Sequence, residues 1–278
     1  MRELRNRVAV VTGAASGIGR ALALELAREG CHLALCDVDE EGLRESAARA
    51  AEAGAKVRTD RVDVADRDAV HAWADAVAAE YGRVNLVVNN AGVALSADVD
   101  TMTYEDLDWV MGIDFWGVIH GTKAFLPHLK RADEGHVVNV SSVFGMIGVF
   151  TQSAYNAAKF GVRGFTEALR EELEIEGAPV SATSVHPGGI RTNIVRSSRL
   201  GVVGGRVTPR EEATAEFDIL ARTSPEAAAR RIIRGVKRNE RRVLIGLDAR
   251  VIDWMQRLFP TAYQRLLIRA GRRRRHHR

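Results

Sequence analysis

Tyr155 and Lys159 stand four residues apart in the run Ser153-Ala-Tyr-Asn-Ala-Ala-Lys159. On a helix that spacing puts both side chains on one face. An ammonium group beside a phenol favours the phenolate and lowers a pKa that starts at about 10. Tyr155 is therefore expected to give and take a proton near neutral pH. Ser142 follows the apolar run Val137-Val138-Asn139-Val140, which reads as a buried strand. A strand end and the helix after it can bring a hydroxyl beside the phenol. Tyr-x-x-x-Lys alone is also what an ordinary helix face contains, so its meaning rests on the rest of the chain.

A second group of residues suits a phosphate ligand. The apolar run Val8–Val11 enters Thr12-Gly13-Ala14-Ala15-Ser16-Gly17-Ile18-Gly19, and a helical pattern follows to Glu29. Glycines between a strand and a helix let the backbone approach a pyrophosphate, and the helix N-terminus offers N–H groups and the positive end of its dipole. The glycine order is G-x-x-x-G-x-G rather than G-x-G-x-x-G. A second strand, His32–Cys36, ends at Asp37. A carboxylate at that point can accept hydrogen bonds from the adenosine ribose and would repel a 2′-phosphate, and neither Ser16 nor Val38 offers a compensating positive charge. NAD(H) is favoured over NADP(H) on that charge argument. The alternative is that Asp37 only caps the helix that follows it.

Strands and helices alternate through the remainder. Strand patterns end at Asp63-Val64, at Asn89-Asn90-Ala91-Gly92, at Ser141-Ser142 and at His186-Pro187-Gly188-Gly189-Ile190-Arg191-Thr192. A helical stretch from about Tyr104 to Arg131 is interrupted near Asp114 to Gly117, and Ser224-Pro225 reads as a helix start before a last strand at Arg242–Ile245. The alternation predicts a Rossmann-like, doubly wound parallel α/β sheet of seven strands with helices on both faces. Residues 1–247 are expected to form one dinucleotide-binding and catalytic domain, followed by an amphipathic helical extension over 248–278. In such sheets ligands bind at the carboxyl edge of the strands.

Composition excludes several alternatives. The 278 residues contain two cysteines, too few for a disulfide framework or a zinc site, and the histidines form no metal-ligand pair at helical spacing. No metal is expected. No apolar run reaches membrane-spanning length and no cleavable signal pattern opens the chain, so a cytoplasmic location is expected. The net charge of +4 comes from the end of the chain: residues 265–278 hold seven arginines and no acid, and without them 33 basic residues face 36 acidic ones. The body is therefore slightly acidic, which argues against nucleic acid as a partner.

Taken in order, these motifs resemble the short-chain dehydrogenase/reductase family, in its shorter single-domain branch, over about residues 5 to 247. The resemblance rests on Thr12 to Gly19, Asp63, Asn89 to Gly92, Ser142, Tyr155 with Lys159, and Pro187-Gly188 with Thr192. It implies a cofactor site made by Gly13, Ser16, Gly17, Ile18 and Gly19 at the pyrophosphate, Asp37 at the ribose, Asp63 and Val64 at the adenine, and Asn89, Ala91 and Gly92 along the cofactor. Pro187, Gly188, Ile190 and Thr192 would lie at the nicotinamide. Tyr155 would act as general acid and base, Ser142 would bond the substrate oxygen, and Lys159 would hold the nicotinamide ribose and lower the Tyr155 pKa. The implied activity is hydride transfer between NAD and a secondary alcohol or ketone, in a homodimer or homotetramer. The alternatives are a catalytically weak NAD-binding regulator, or an epimerase or dehydratase on the same fold.

One position departs from the family pattern. Where the family has an Asn that holds a proton-relaying water, this chain has Asp114. A carboxylate keeps an acceptor but loses the amide donor. Paired with Lys159, it would oppose the lowering of the Tyr155 pKa and shift the pH optimum. Gly145, Met146, Ile147, Val149 and Phe150, with Val93, Ala94 and Leu95, predict an apolar pocket and a lipophilic substrate. Residues Asn193–Thr223 correspond to the family's mobile lid. Val251, Ile252, Trp254, Met255, Leu258 and Phe259, then Tyr263, Leu266 and Leu267, repeat at helical spacing before Arg272-Arg273-Arg274-Arg275. They are expected either to pack on the body or a second subunit, or to lie on an anionic membrane.

Overall fold

A computed structural model describes the backbone of residues 1–276 and the side chains of residues 1–272. Side chains of the arginine run from Arg273 onward, expected to form a basic tail, lie outside the described residues. Seven parallel strands make the sheet: β1 Val8–Thr12, β2 His32–Asp37, β3 Val57–Arg61, β4 Leu86–Asn89, β5 Gly135–Val140, β6 Val180–Pro187 and β7 Arg242–Ile245. Their spatial order is β7-β6-β5-β4-β1-β2-β3. The order reverses between β1 and β4, which leaves a crevice at the carboxyl edge where the two halves part. β1 and β5 are buried along their whole length, as a strand covered on both faces must be.

Helices α1 Gly17–Arg28, α2 Glu40–Ala51 and α8 Pro225–Lys237 cover one face, and α3 Arg67–Tyr81, α5 Gly117–Arg131 and α6 Ser153–Glu176 cover the other. Leu22, Leu26, Leu33, Leu35, Ile232 and Val236 pack the first layer, while Trp73, Phe125, Leu129, Val137 and Leu173 pack the second. Local signals set the helix ends. Asp39, Asp66 and Ser224 each accept a backbone N–H in the first turn of α2, α3 and α8, and α3 and α6 stop at the left-handed glycines Gly82 and Gly177.

The helix interruption expected near Asp114–Gly117 is a π-helical turn over Gly112–Trp116, between α4 Tyr104–Met111 and α5. A wider turn re-aims side chains relative to a regular helix, and such turns concentrate at functional sites. Here Phe115 packs against α6 at Gly161, where a Cβ would stand 2.8 Å from the ring, and Asp114 is wholly buried. Helix α1 begins at Gly17, earlier than the expected Arg20, because the last two glycines of the turn form its first residues.

Residues 193–223 contain short strand pairs and α7 Arg210–Leu220, none of whose residues is buried. Beyond β7 the chain forms α9 Leu247–Leu258, breaks at Phe259-Pro260, and continues as α10 Tyr263–His276. No helix among the described residues is long and apolar enough to cross a membrane.

Candidate active site

The carboxyl ends of β1, β4, β5 and β6 bring the sequence-predicted residues to one edge. Gly13 is left-handed (φ 65°), and a Cβ there would stand 2.7 Å from Ala91 Cα; a Cβ on Gly19 would stand 2.0 Å from Gly13 O. Only glycine fits either position, so the turn folds tightly against the Asn89–Gly92 segment. Thr12 and Asn90 lock the two together. Thr12 Oγ1 accepts from Asn90 N (2.9 Å) and Ala91 N (3.0 Å), and Asn90 Nδ2 donates to Thr12 O (2.9 Å) and Gly13 O (3.2 Å). The sequence reading assigned neither residue a role; their side chains buttress the backbone, which motif spacing does not display. Ser16, at the start of α1, makes no side-chain cap bond and the first turn carries no acid. Thr192 lies over Gly17, its Cγ2 3.1 Å from where a Cβ would sit. A bare backbone cradle at a helix N-terminus fits a pyrophosphate.

Asp37 closes β2 beside this cradle. Its carboxylate accepts from Ala15 N (2.9 Å), Val38 N (2.8 Å) and Asp39 N (3.1 Å), so its position is fixed by backbone rather than by a cation. The helix cap of α2 is Asp39, not Asp37. Of the arginines near this turn, Arg20 bonds Ser46 Oγ and the carbonyls of Ala15 and Gly42 and pairs with Glu45 at 2.9 Å, while Arg61, opposite Asp37 on β3, pairs with Glu40 at 3.5 Å. Asp63 is exposed at the end of the β3 segment and accepts from Ala65 N, and Val64 packs against Gly117. Asn89 departs from the expected arrangement. Its side chain turns into the core, donating to Thr122 Oγ1 (3.1 Å) and Asn139 Oδ1 (2.8 Å), and it ties β4 to β5 instead of lining the crevice. The alternation of side chains along a strand puts consecutive asparagines on opposite sides, so Asn90 takes the crevice side.

On the other half of the edge, Ser142, Tyr155, Lys159 and Asp114 converge. Ser142 Oγ accepts from Phe144 N (3.1 Å), which leaves its single O–H to donate toward the site. Tyr155 is half-buried, with Lys159 Nζ 5.4 Å from its ring centroid and the Phe144 ring edge-on at 6.1 Å. Lys159 Nζ lies 3.1 Å from Asp114 Oδ2 and donates to Val140 O at 3.3 Å. Asp114 Oδ1 accepts from Val93 N at 2.7 Å. Both members of this ion pair are buried.

The electrostatics differ from the simple expectation of a lowered tyrosine pKa. Burial pushes the Tyr155 phenol above its ordinary value; Lys159 and the Ser142 hydrogen bond pull it down, Asp114 pushes it up, and the balance is upward. Burial likewise raises Asp114, with Lys159 and the Val93 N–H opposing. Burial works against the Lys159 charge, but Asp114 and Tyr155 outweigh it and the ammonium is held above its usual value. The Asp114 carboxylate thus opposes the effect of Lys159 on Tyr155, in the sense read from the sequence.

Several supporting residues were not singled out from sequence. His186, on β6, bonds the Ser142 carbonyl through Nδ1 at 3.0 Å and Ser184 Oγ through Nε2 at 2.9 Å. Burial lowers its pKa to about 4, so it is neutral, with the proton on Nδ1 facing the carbonyl. Asn156, between Tyr155 and Lys159, donates to Phe144 O (2.8 Å) and Ile147 O (3.0 Å) and accepts from Val149 N (3.0 Å), fixing the loop that follows Ser142. A Cβ on Gly145 would meet Ser141 Oγ at 2.3 Å, so that loop passes hard against β5 and α6. Asp248, at the start of α9, accepts from Gly189 N at 2.6 Å and crowds Gly188, holding the turn after β6 from outside the family motif.

The predicted pocket wall needs correction. Met146, Ile147 and Leu95 are core residues, 2–3% exposed, packed under the loop rather than lining it. Val93, Ala94 and Val149 are half-buried and Phe150 is exposed, so of the residues expected to line a pocket these keep accessible apolar surface, and Phe144 lies directly against Tyr155. Among the described residues no cluster of His, Cys, Asp and Glu could hold a metal ion.

Comparison with known proteins agrees with this geometry. The short chain dehydrogenase family model matches residues 7–202. The chain belongs to the short-chain dehydrogenase/reductase family. It is 49% identical over 269 residues to the putative oxidoreductase SadH of Mycobacterium tuberculosis, covering 96% of both chains. Human estradiol 17-beta-dehydrogenase 11 is 29% identical over 271 residues, covering 96% of this chain and 84% of that protein. Among solved structures, a short-chain dehydrogenase/reductase of Burkholderia phymatum in complex with NAD superposes with a TM-score of 0.79 at 32% identity, covering 88% of this chain and 90% of that one. Levodione reductase superposes with a TM-score of 0.77 at 29% identity, covering 89% and 98%. The oxidoreductase class follows from this membership, and the seven-stranded parallel sheet is in keeping with it.

Proposed function

We propose that this chain is an NAD(H)-dependent oxidoreductase interconverting a lipophilic secondary alcohol and its ketone, with Tyr155 as general acid and base. The convergence of Ser142, Tyr155 and Lys159 beside a side-chain-free glycine cradle carries this reading. A bound nicotinamide supplies the hydride acceptor or donor. The protein's part is to move one proton and to hold an oxygen. In oxidation, the Tyr155 phenolate takes the alcohol proton as hydride leaves carbon; in reduction, the phenol gives a proton to the developing alkoxide. The free O–H of Ser142 donates to the substrate oxygen and stabilises charge there. Lys159 favours the phenolate by charge, and Asp114 tempers that effect.

Gly13, Ser16, Gly17, Ile18 and Gly19 would hold the pyrophosphate, Asp37 the adenosine ribose, and Asp63 with Val64 the adenine. Ala91, Gly92, Pro187, Gly188, Ile190 and Thr192 would border the nicotinamide half. The preference for NAD over NADP is supported by the fixed Asp37 carboxylate and by Arg20, whose guanidinium is already committed to Glu45 and two carbonyls. The lipophilic substrate is supported by the Phe144 ring beside the phenol and by the accessible apolar residues Val149 and Phe150 on the same loop. The decisive experiment is NADH formation from NAD⁺ over a panel of secondary alcohols from short diols to steroids, with NADP⁺ and a Tyr155→Phe variant in parallel. Turnover with NAD⁺ that is lost in the variant is expected. Turnover confined to NADP⁺ would remove the Asp37 argument. An undiminished variant would remove the role of Tyr155.

A further inference from the structure

The segment after β7 has its amphipathic character turned outward. A helix on a protein surface normally buries its apolar stripe and exposes its charges. In α9 the body-facing side carries one small and one branched apolar residue beside two acids. Ala249 packs with Val143 and Met146, with Ile252 beside them. Asp253 accepts from Arg242 (3.3 Å) and Arg257 (2.8 Å), and Arg242 also bonds Glu167 on α6. Asp248 is engaged with Gly189. The outward side carries Leu247 (78% exposed), Val251 (64%), Trp254 (64%) and Leu258 (62%). Their spacing of four, three and four residues makes one stripe along three turns. Phe259, and Leu266 and Ile268 on α10, are exposed as well.

Charge on this segment is one-sided. Residues 249–278 contain nine arginines and a single acid, Asp253, which is already paired inward. Arg250, Arg265, Arg269 and Arg272 are exposed. The segment also touches the site. Tyr263, nearly buried, accepts the Gly148 N–H at 3.1 Å, and Gly271 lies against the Phe150 ring, both on the loop between Ser142 and Tyr155. The lid ends in the exposed Ile219 and Leu220, and the Leu220 carbonyl packs on Gly189, the residue that Asp248 holds. The segment that carries the stripe therefore touches both the loop between Ser142 and Tyr155 and the turn after β6.

We propose that this face docks on an anionic phospholipid bilayer, with the Trp254 stripe in the boundary between headgroups and acyl chains and the arginines on lipid phosphates. An exposed Leu, Val and Trp stripe beside arginines is what an interfacial helix requires. A second copy of the chain would bring two strongly basic faces together, which like-charge repulsion opposes. Nucleic acid would match the charge but leave the aliphatic stripe in water. The proposal stands apart from the redox reading, and its test needs no substrate.

The test is flotation of the full-length chain with vesicles of phosphatidylcholine alone and of equal parts phosphatidylcholine and phosphatidylglycerol. The protein is expected to float with the mixed vesicles only, and to be released by molar salt, where screening is complete within about 3 Å. Its fluorescence is expected to shift to the blue on binding, with the shift absent in Trp254→Phe. The double variant Trp254→Glu/Leu258→Glu is expected to lose at least about ten-fold in partitioning, since each side chain leaves apolar contact. Arg265→Gln/Arg269→Gln is expected to lose about five-fold per arginine. All four side chains are exposed, so thermal melting should be unchanged. Absence of flotation by the intact chain, or equal flotation by the double variant, would overturn the proposal. So would a double variant that dissociates an oligomer with no vesicle binding by the parent, or retention on DNA without flotation.

Discussion

The floor of the site and its rim are built by opposite means. On the floor, Ser142, Lys159, Asp114, Asn156 and His186 are buried, and each is bonded to backbone or to a neighbouring charge. On the rim, α7 buries none of its residues and α9 exposes its apolar stripe. A floor whose polar groups are held by backbone bonds and a buried ion pair has little freedom, because displacing a member strands its partner in a low-dielectric interior. A rim with few buried contacts opens at low cost and tolerates change. The comparison teaches that proton transfer and substrate delivery are separable here. Floor variants should change the chemical step and its pH dependence, while rim variants should change how substrate arrives.

Tyr155→Phe is the severest test of that separation. Loss of a general acid and base is expected to lower turnover about 10²- to 10⁴-fold. NAD⁺ affinity and the melting temperature should stay close to the parent's, because the aromatic ring is kept. Steady-state kinetics with NAD⁺ titration checks this. A variant with parental turnover would break the comparison at its centre.

The buried histidines give the next largest effect. Burial holds His136 at about 3 and His186 at about 4, against an ordinary value near 6.5. Below pH 6.5 the unfolded chain therefore binds protons that the folded chain refuses. Stability should fall as pH drops from about 6.5 to 4, by on the order of 3 kcal/mol from His186 alone. Melting curves across that window check the sign. His186→Asn keeps a donor for the Ser142 carbonyl but removes the titration, so its stability should depend less on pH. An unchanged slope would mean that His186 is not the neutral prop of the floor.

Asp114→Asn sharpens the comparison within the floor itself. The carboxylate raises both Tyr155 and Lys159. Removing its charge should lower the Tyr155 pKa, so the rise of alcohol oxidation with pH should move to lower pH. A pH–rate profile for kcat measures this. An unmoved profile would show that Asp114 acts only by packing.

How far the sequence revealed all this depends on where each residue's partner lies. Tyr155 and Lys159 are one helical turn apart, and the glycine turn joins a strand to a helix, so their local spacing reports their geometry. The π-helical turn was visible only as an interruption, because a single extra residue in a turn has no pattern of its own, yet it is what buries Asp114 beside Lys159. The inward turn of the Asn89 side chain is not legible because a motif names residues but not which side of the strand each takes. His186, Asp248 and Tyr263 bond groups 44, 59 and 115 residues away along the chain. Contacts made at such separations leave no local trace. The apolar run of α9 is legible as a helix, but which of its residues are buried is set by the body: Ala249 and Ile252 meet Val143, Met146 and Leu244, Asp253 meets Arg242, and the rest of the stripe stays outside.

Tyr263→Phe is the smallest change and the one that joins the two regions. The phenol oxygen takes the Gly148 N–H, and Gly148 is exposed, so water can replace the lost acceptor. The cost to folding is expected to be about 1 kcal/mol, the ordinary worth of one hydrogen bond whose partner is not left stranded. Asn156 still fixes the same loop at Phe144, Ile147 and Val149, so the floor should keep its shape. KM for a lipophilic alcohol should therefore rise a few-fold while kcat and its pH profile stay put, the pattern of weakened binding without a weakened transition state. A fall in kcat matched by a displaced pH profile would mean that α10 reaches the floor through the loop, and that the site and its rim act as one unit.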